Sequence, residues 1–175
     1  MPNKAKNNRK EMQYSNTVVI MRGVSGSGKD TWIKKNINSA RICSADEYFT
    51  MNNPRHEYEF DVAKLPRAHS YCMSNFLKAL YDHVSTIVVN NTNIRCWEWE
   101  NYALTALLYG YGYDVVVVEL VCDTVDQIRH CQRRNVHQVP AASIAAKACE
   151  FESTATFCMV DLRARIKIIT EQVEI

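Results

Sequence analysis

Three glycines and a lysine fall within nine residues, Gly23-Val24-Ser25-Gly26-Ser27-Gly28-Lys29-Asp30-Thr31, in a chain that holds only five glycines. Glycine permits the curled backbone in which successive N–H groups turn inward, and such a concavity holds phosphate oxygens. A helix opening just after Gly28 would add free N–H groups and a positive dipole end. Lys29 would place its ammonium between the terminal phosphates of a nucleotide. Gly23, Ser25, Gly26, Ser27, Gly28, Lys29, Asp30 and Thr31 are therefore the candidate nucleotide-binding residues. The plain alternative is a glycine-rich turn between a strand and a helix. Spacing, lysine and flanking context all favour the nucleotide. One position departs from the pattern. The residue after the lysine is normally a Ser or Thr that ligates Mg2+, whereas this chain has Asp30 there and the hydroxyl one place later, at Thr31.

Two further groups of side chains suit phosphoryl transfer. Asp46, in Cys43-Ser44-Ala45-Asp46-Glu47-Tyr48-Phe49, could accept the proton of an attacking hydroxyl if it faces the glycine-rich loop. Aspartate also caps short helices and turns, and Glu47 competes for the role of base. Arg129, Arg133 and Arg134 stand at i, i+4 and i+5, two of them on one helix face. Guanidinium groups on a mobile segment could close over the transferring phosphate and offset its charge. Gln132–Pro140 reads as such a hinged lid, against the blander reading of a solvated basic face.

These groups need a frame, and the apolar pattern supplies one. Residues 17–22 read as a strand and 30–37 as a helix, followed by a short strand over 40–44. Residues 47–61 are polar and aromatic and read as a loop or lid. A long helix starts near Leu65-Pro66, since proline is tolerated in a first turn. Its apolar face is Ala68, Cys72, Phe76 and Leu80, with Met73 and Leu77. A third strand covers 85–90. Asn93 is expected to cap the next helix, whose inner face is Trp99, Tyr102, Ala103, Ala106 and Leu107 and which Gly110 and Gly112 stop. A fourth strand, 114–120, is apolar on both faces, as in a buried parallel sheet. Helices follow over 124–135 and 141–152. The segment 163–175 fits strand or helix equally well. Alternation of this kind predicts an α/β fold, a mostly parallel sheet of four or five strands with helices on both faces. The ligand then sits at the carboxyl ends of the strands, where the polar residues collect.

Length and composition set the outer limits. At 175 residues, 47% hydrophobic and 23% charged, the chain is expected to form one soluble domain over 15–175, preceded by a mobile polar tail over 1–14. The role of 151–175 stays open between packing on the domain and building a contact between copies in a homo-oligomer. A formal net charge of +2 is too mild for a protein that coats nucleic acid, yet it permits a local basic groove. Seven widely spaced cysteines fit small buried hydrophobes in a reducing compartment better than a zinc site or disulfide framework. No leader segment or membrane span is visible, so a cytoplasmic protein is expected.

The motifs occur in a telling order. Gly23-Val24-Ser25-Gly26-Ser27-Gly28-Lys29-Asp30-Thr31-Trp32 is followed by Ser44-Ala45-Asp46-Glu47-Tyr48, then Asn91-Thr92-Asn93, then Arg133-Arg134-Asn135-Val136-His137-Gln138-Val139-Pro140. Over about Val18 to Phe151 this resembles the P-loop kinase domain of 5′-hydroxyl polynucleotide kinases. It also resembles the kinase-like domain of 2′,3′-cyclic nucleotide phosphodiesterases. The resemblance implies a fold of that kind, ATP or another NTP with Mg2+ as cofactors, and 5′-hydroxyl ends of RNA or DNA as partners. It implies that Lys29 cradles the ATP phosphates, that Asp46 is the general base and that Arg134, with Arg133, belongs to the clamping lid. Arg129 would join the nucleotide site, while Thr92 and Asn93 line it after the third strand.

Three departures accompany the likeness. Asp30 replaces the expected serine. A carboxylate often found beside the Thr-Asn pair is absent, since Asn90 and Asn91 stand there. We expect Asp30, with Thr31, to bring the missing negative charge to the metal from the other side. An arginine that contacts the acceptor is replaced by Phe49, which, like Tyr48, either stacks on a base or belongs to the core. Three readings follow: a polynucleotide 5′-kinase, a small-molecule kinase acting on a nucleoside, nucleotide or sugar nucleotide, and a non-catalytic nucleotide- or RNA-binding module.

Overall fold

An unbroken apolar run from Val18 to Met21 makes a strand buried on both faces, and the rest of the sheet assembles around it. The computed structural model describes residues 16–51, 55, 57–110, 112–154 and 165–175; the predicted tail over 1–14 lies outside them. Strands β1 (Thr17–Arg22), β2 (Arg41–Cys43), β3 (Thr86–Asn90), β4 (Asp114–Val121) and β5 (Ile166–Gln172) form one sheet in the order β2-β3-β1-β4-β5. Every pairing is parallel, with Thr17 opposite Thr86 on one side and Asp114 on the other. β1 is the central strand, and the chain crosses it between β3 and β4. The sheet's topological switch therefore falls beside the end of β1, where open α/β folds bind ligands.

The period of two along a strand divides the core. Val18, Ile20, Ile87, Val89, Val115 and Val117 face helices α2 (Asp46–Met51), α3 (Leu65–Tyr81) and α4 (Cys96–Leu108). Val19, Met21, Val88, Val116 and Val118 face α1 (Lys29–Asn36), α5 (Val125–Arg134) and α6 (Ala141–Cys149). Burial of both faces explains the unbroken apolar run of β4.

Several local expectations need correction. Residues 47–51 of the expected loop belong to α2 instead, with Ser44 Oγ accepting from the Asp46 N–H at 3.2 Å. On α3 the buried face is Ala68, Cys72, Phe76, Ala79 and Leu80, while Leu77 points outward. Asn93 does not cap α4. That helix starts at Cys96 behind Arg95, with Glu98 reaching back to the Arg95 N–H. Residues 166–172 resolve the ambiguous C-terminal segment as β5, paired to β4 along seven positions. Of the described cysteines, Cys43, Cys72, Cys96, Cys122 and Cys131 are buried and Cys149 is exposed. Among the described residues no helix is long and apolar enough to cross a membrane.

A buried arginine ties the sheet end together. Arg22, the last residue of β1, is fully buried and pairs with Glu119 of β4 at 2.5 Å. It also donates to the carbonyls of Asn93, Ile94 and Glu152, and it lies over the rings of Trp99 and Phe151. Thr170 of β5 donates to the other Glu119 oxygen. Burial pushes the pKa of Arg22 down, and Glu119 is the charge that chiefly opposes the fall. Residues 151–154 are thereby held against the domain.

Candidate active site

The glycine-rich turn sits directly on the end of β1. Its first N–H, on Gly23, donates to the Thr92 carbonyl at 2.8 Å, and Ser27 N–H closes onto the Val24 carbonyl. Gly26 (φ 80°) and Gly28 (φ 99°) adopt the left-handed region that favours glycine. A side chain at Gly26 would also press into the backbone of Cys131 in α5, so α5 packs on the loop only because residue 26 has none. Ser25 lies partly buried between them. Gly28 caps α1, whose first turn carries Lys29, Asp30 and Thr31.

Lys29 folds back along the loop and donates to the carbonyls of Gly23 at 2.9 Å and Val24 at 3.0 Å. Burial lowers its pKa to about 8, while the carboxylates of Asp30 and Asp46 act in the opposite direction. The ammonium is thus a poorly solvated cation whose nearest charge support comes from those two carboxylates.

Beyond the loop opens a cleft of about 780 Å3, lined among others by Asp30, Arg41, Asp46, Glu47, Tyr58 and Asn90. Asp46 stands at the start of α2 and accepts from the Tyr58 hydroxyl at 3.2 Å. Its other oxygen lies 3.9 Å from His137 Nε2. Glu47 is turned differently. Burial raises its pKa, and Arg41 is the group that opposes the rise. Tyr58 is likewise pushed up, mainly by burial and further by Asp46, so its hydroxyl keeps its proton and remains a donor.

The two off-pattern positions meet across the cleft. Asn90, at the end of β3, donates from Nδ2 to Asp30 Oδ1 at 2.7 Å. The end of β3, where the resemblance implies a carboxylate, is thus hydrogen-bonded to a carboxylate carried by α1. Asp30 Oδ2 and Thr31 Oγ1 are hard oxygen donors at the mouth of the phosphate loop. Magnesium is commonly held by one or two carboxylates together with substrate phosphates, so these residues fit that ion.

Of the three arginines, only Arg134 reaches the loop among the described contacts. Its Nη2 donates to Thr31 Oγ1 at 3.2 Å, and its guanidinium lies over Gly28. Arg129 pairs with Asp126 on its own helix and is largely exposed; Arg133 is exposed. The helical spacing explains the split: Cys131 faces the loop, and Arg134 follows it by three residues on the same side.

Two expected substrate contacts, Phe49 and Asn93, are corrected. Phe49 is buried, edge-on to Tyr48 and Tyr58, because α2 turns it inward; it belongs to the core rather than to a stacking platform. Asn93 is buried too, its amide donating to the Met21 carbonyl and its own carbonyl accepting from Arg22. Thr92 meets Gly23 through its backbone, behind the loop. Asn90, two residues earlier, lines the cleft instead. Tyr58 is a cleft residue that the sequence reading did not single out; Asn90 entered it as a departure at the end of the third strand, and His137 only as part of a motif. Tyr58, in a polar aromatic stretch without periodicity, carried no such signal.

A five-stranded parallel sheet with a glycine-rich loop at the end of its central strand defines a P-loop kinase-type α/β domain. Residues 18–154 match the AAA domain family, AAA_33, and the chain belongs to that family. It is 32% identical over 140 residues to NEDD4-binding protein 2 of Homo sapiens, covering 78% of this chain and 8% of that protein. The chain thus spans a small part of that curated relative. Among solved structures, a chain of the Pnkp1/Rnl/Hen1 RNA repair complex superposes with a TM-score of 0.59 at 16% identity, covering 84% of this chain and 46% of that one. A gluconokinase from Sinorhizobium meliloti 1021 superposes with a TM-score of 0.52 at 13% identity, covering 93% and 86%. Both show the fold alone. The kinase-like P-loop fold supports a phosphotransferase in general.

Proposed function

We propose that this domain moves the γ-phosphate of ATP, or of another nucleoside triphosphate, to the 5′-hydroxyl end of RNA or DNA. The observation that carries the reading is electrostatic and geometric: Asp46 opens into the cleft beside the phosphate loop and acts on the charge of Lys29. A donor phosphate held by Lys29 and an acceptor hydroxyl deprotonated by Asp46 would then share one site. Glu47 is the weaker candidate for base, since its environment is set by burial and Arg41. Support for a 5′-hydroxyl acceptor comes from the order of the four motifs and their resemblance to polynucleotide kinases.

In this scheme the loop N–H groups and Lys29 bind the triphosphate, and Arg134 closes over it from α5. Asp46 takes the proton from the acceptor oxygen as that oxygen attacks the γ-phosphorus in line, and the bond to the β-phosphate oxygen breaks. Asp30 and Thr31 would hold Mg2+, which when bound offsets charge on the phosphate oxygens.

One observation favours a small-molecule acceptor instead. Asp30, Asp46 and Glu47 face the cleft together with Arg41, so negative side chains outnumber that guanidinium where an acidic backbone would enter. Incubation with labelled ATP and Mg2+ decides. Label on a 5′-OH oligonucleotide supports the proposal, and the oligoribonucleotide and oligodeoxynucleotide arms separate RNA from DNA. Label on a nucleoside, nucleotide or sugar nucleotide supports the small-molecule kinase. ATP binding without transfer to any acceptor identifies a binding module.

A further inference from the structure

A single short segment touches both halves of the cleft. At its start Arg134 donates to Thr31 on the phosphate loop. Three residues on, His137 stands 3.9 Å from Asp46 and stacks on Tyr58, with ring centroids 4.2 Å apart and planes at 36°. The segment is stiffened from within. Asn135 accepts the His137 N–H at 3.3 Å and donates to the Val139 carbonyl at 2.8 Å, and Gln138 takes a left-handed φ of 54°. Tyr58 is fixed in turn by its edge contact with the buried Phe49. Tyr58 donates to one oxygen of the Asp46 carboxylate and His137 Nε2 stands 3.9 Å from the other, and the carboxylate is 54% exposed.

We infer that His137 is a positioning residue that couples nucleotide occupancy to the setting of Asp46. This rests on the phosphotransferase reading but goes beyond it. In the structure described here Arg134 rests on the Thr31 hydroxyl. A bound triphosphate offers it a stronger, charge-assisted partner, and the turn from Asn135 to Val139 carries that shift to the imidazole. The imidazole and the Tyr58 hydroxyl then hold the carboxylate in the one rotamer that faces the acceptor. Without a nucleotide the imidazole stands 3.9 Å from that carboxylate, beyond hydrogen-bonding distance, and only Tyr58 bonds it. His137 approaches Asp46 and Tyr58 rather than the phosphate loop, which separates its role from that of Arg134.

Two measurements test this. First, the imidazole resonance of His137, assigned by its disappearance in His137→Asn, is followed while ATP is added. The expected result is a shift in wild-type protein that is lost in Arg134→Ala at saturating ATP. No shift in wild-type, or an unchanged shift in Arg134→Ala, overturns the coupling whatever the protein phosphorylates. Second, His137→Ala is expected to leave the ATP Kd unchanged and to lower kcat for transfer on the order of 10- to 100-fold, the cost of a base displaced by about an ångström. ATP hydrolysis relative to transfer should rise, and His137→Asn, which keeps a hydrogen-bonding group, should recover part of the loss. Transfer in His137→Ala equal to wild-type overturns the positioning role. Absence of transfer in wild-type would count against the proposed reaction, and the resonance shift would still decide the coupling.

Discussion

Replacing Gly26 by alanine carries two costs, and Gly112 and Gly110 separate them. Gly26 and Gly112 have positive φ, 80° and 67°, while Gly110 does not. A Cβ at Gly26 would come 2.8 Å from the Cys131 carbonyl carbon and 3.1 Å from its Cα, whereas at Gly110 and Gly112 nothing lies within 4 Å. Left-handed backbone costs an L-residue roughly 1–2 kcal/mol, and alanine recovers about 0.4–1 kcal/mol by restricting the unfolded chain. Gly112→Ala should therefore lose about 1 kcal/mol, and Gly110→Ala should be neutral or slightly stabilising. Gly26→Ala adds overpacking against main chain that no rotamer change can relieve, about 1–3 kcal/mol more. Urea unfolding of the three variants gives the difference directly. Because α5 carries Arg134, pushing α5 off the loop should also weaken ATP binding in Gly26→Ala and leave it intact in the other two. If Gly26→Ala is no less stable than Gly112→Ala, or binds ATP as wild-type does, then α5 is not seated on the phosphate loop and Arg134 is not placed by it.

Lys29 has its pKa lowered to about 8 by burial, and a triphosphate that needs the ammonium must raise it. ATP affinity measured calorimetrically should be flat below pH 8 and fall by up to about tenfold per pH unit above it, with proton uptake on binding near pH 8. The fold responds with the opposite sign: between about 8 and the ordinary lysine value the unfolded chain binds more protons, so this group makes the protein more stable as pH rises through that window. Glu119→Ala leaves Arg22 buried without its carboxylate and should cost about 3–5 kcal/mol in urea unfolding, with Glu119→Gln losing less because it keeps an acceptor. Asp30→Ser should lower Mg2+-dependent transfer, and Asp30→Ser combined with Asn90→Asp should restore most of it; failure of the pair to exceed the single variant would show that the charge is not shared between these positions.

What could be read before the structure was local. The strand–loop–helix unit around Lys29, the periodic face of α3 and the apolar run of β4 each declare themselves within a few residues, through glycine conformation or burial period. The corrections share another origin. Asn93 has the chemistry of a helix cap, yet its amide is needed by Met21 and its carbonyl by Arg22. That demand comes from a residue 71 positions away. Phe49 lies in a stretch that reads as loop, and only the turn of α2 decides that it packs inward. β5 shows ambiguous periodicity because an edge strand has a single neighbour. Only its pairing with β4 identifies it. Arg22 stands in a strand with no signal that it is buried, since its partner Glu119 is hidden in another apolar run.

The same non-local logic bears on whether the site has decayed. Taken singly, Asp30 in place of a hydroxyl residue and Asn90 in place of a carboxylate each look like the loss of a metal ligand. Decay by independent substitutions would leave the two positions unrelated. Instead they share a hydrogen bond of 2.7 Å across the cleft, carboxylate on one side and amide on the other. The pair places one carboxylate, on the first turn of α1, against the end of β3. An aspartate in that turn also sits favourably at the positive end of the helix dipole, so the exchange is stabilising where it stands. Two departures sixty residues apart are thus in direct contact, and under the proposed reaction they form one site with Lys29 and Arg134 rather than two separate losses.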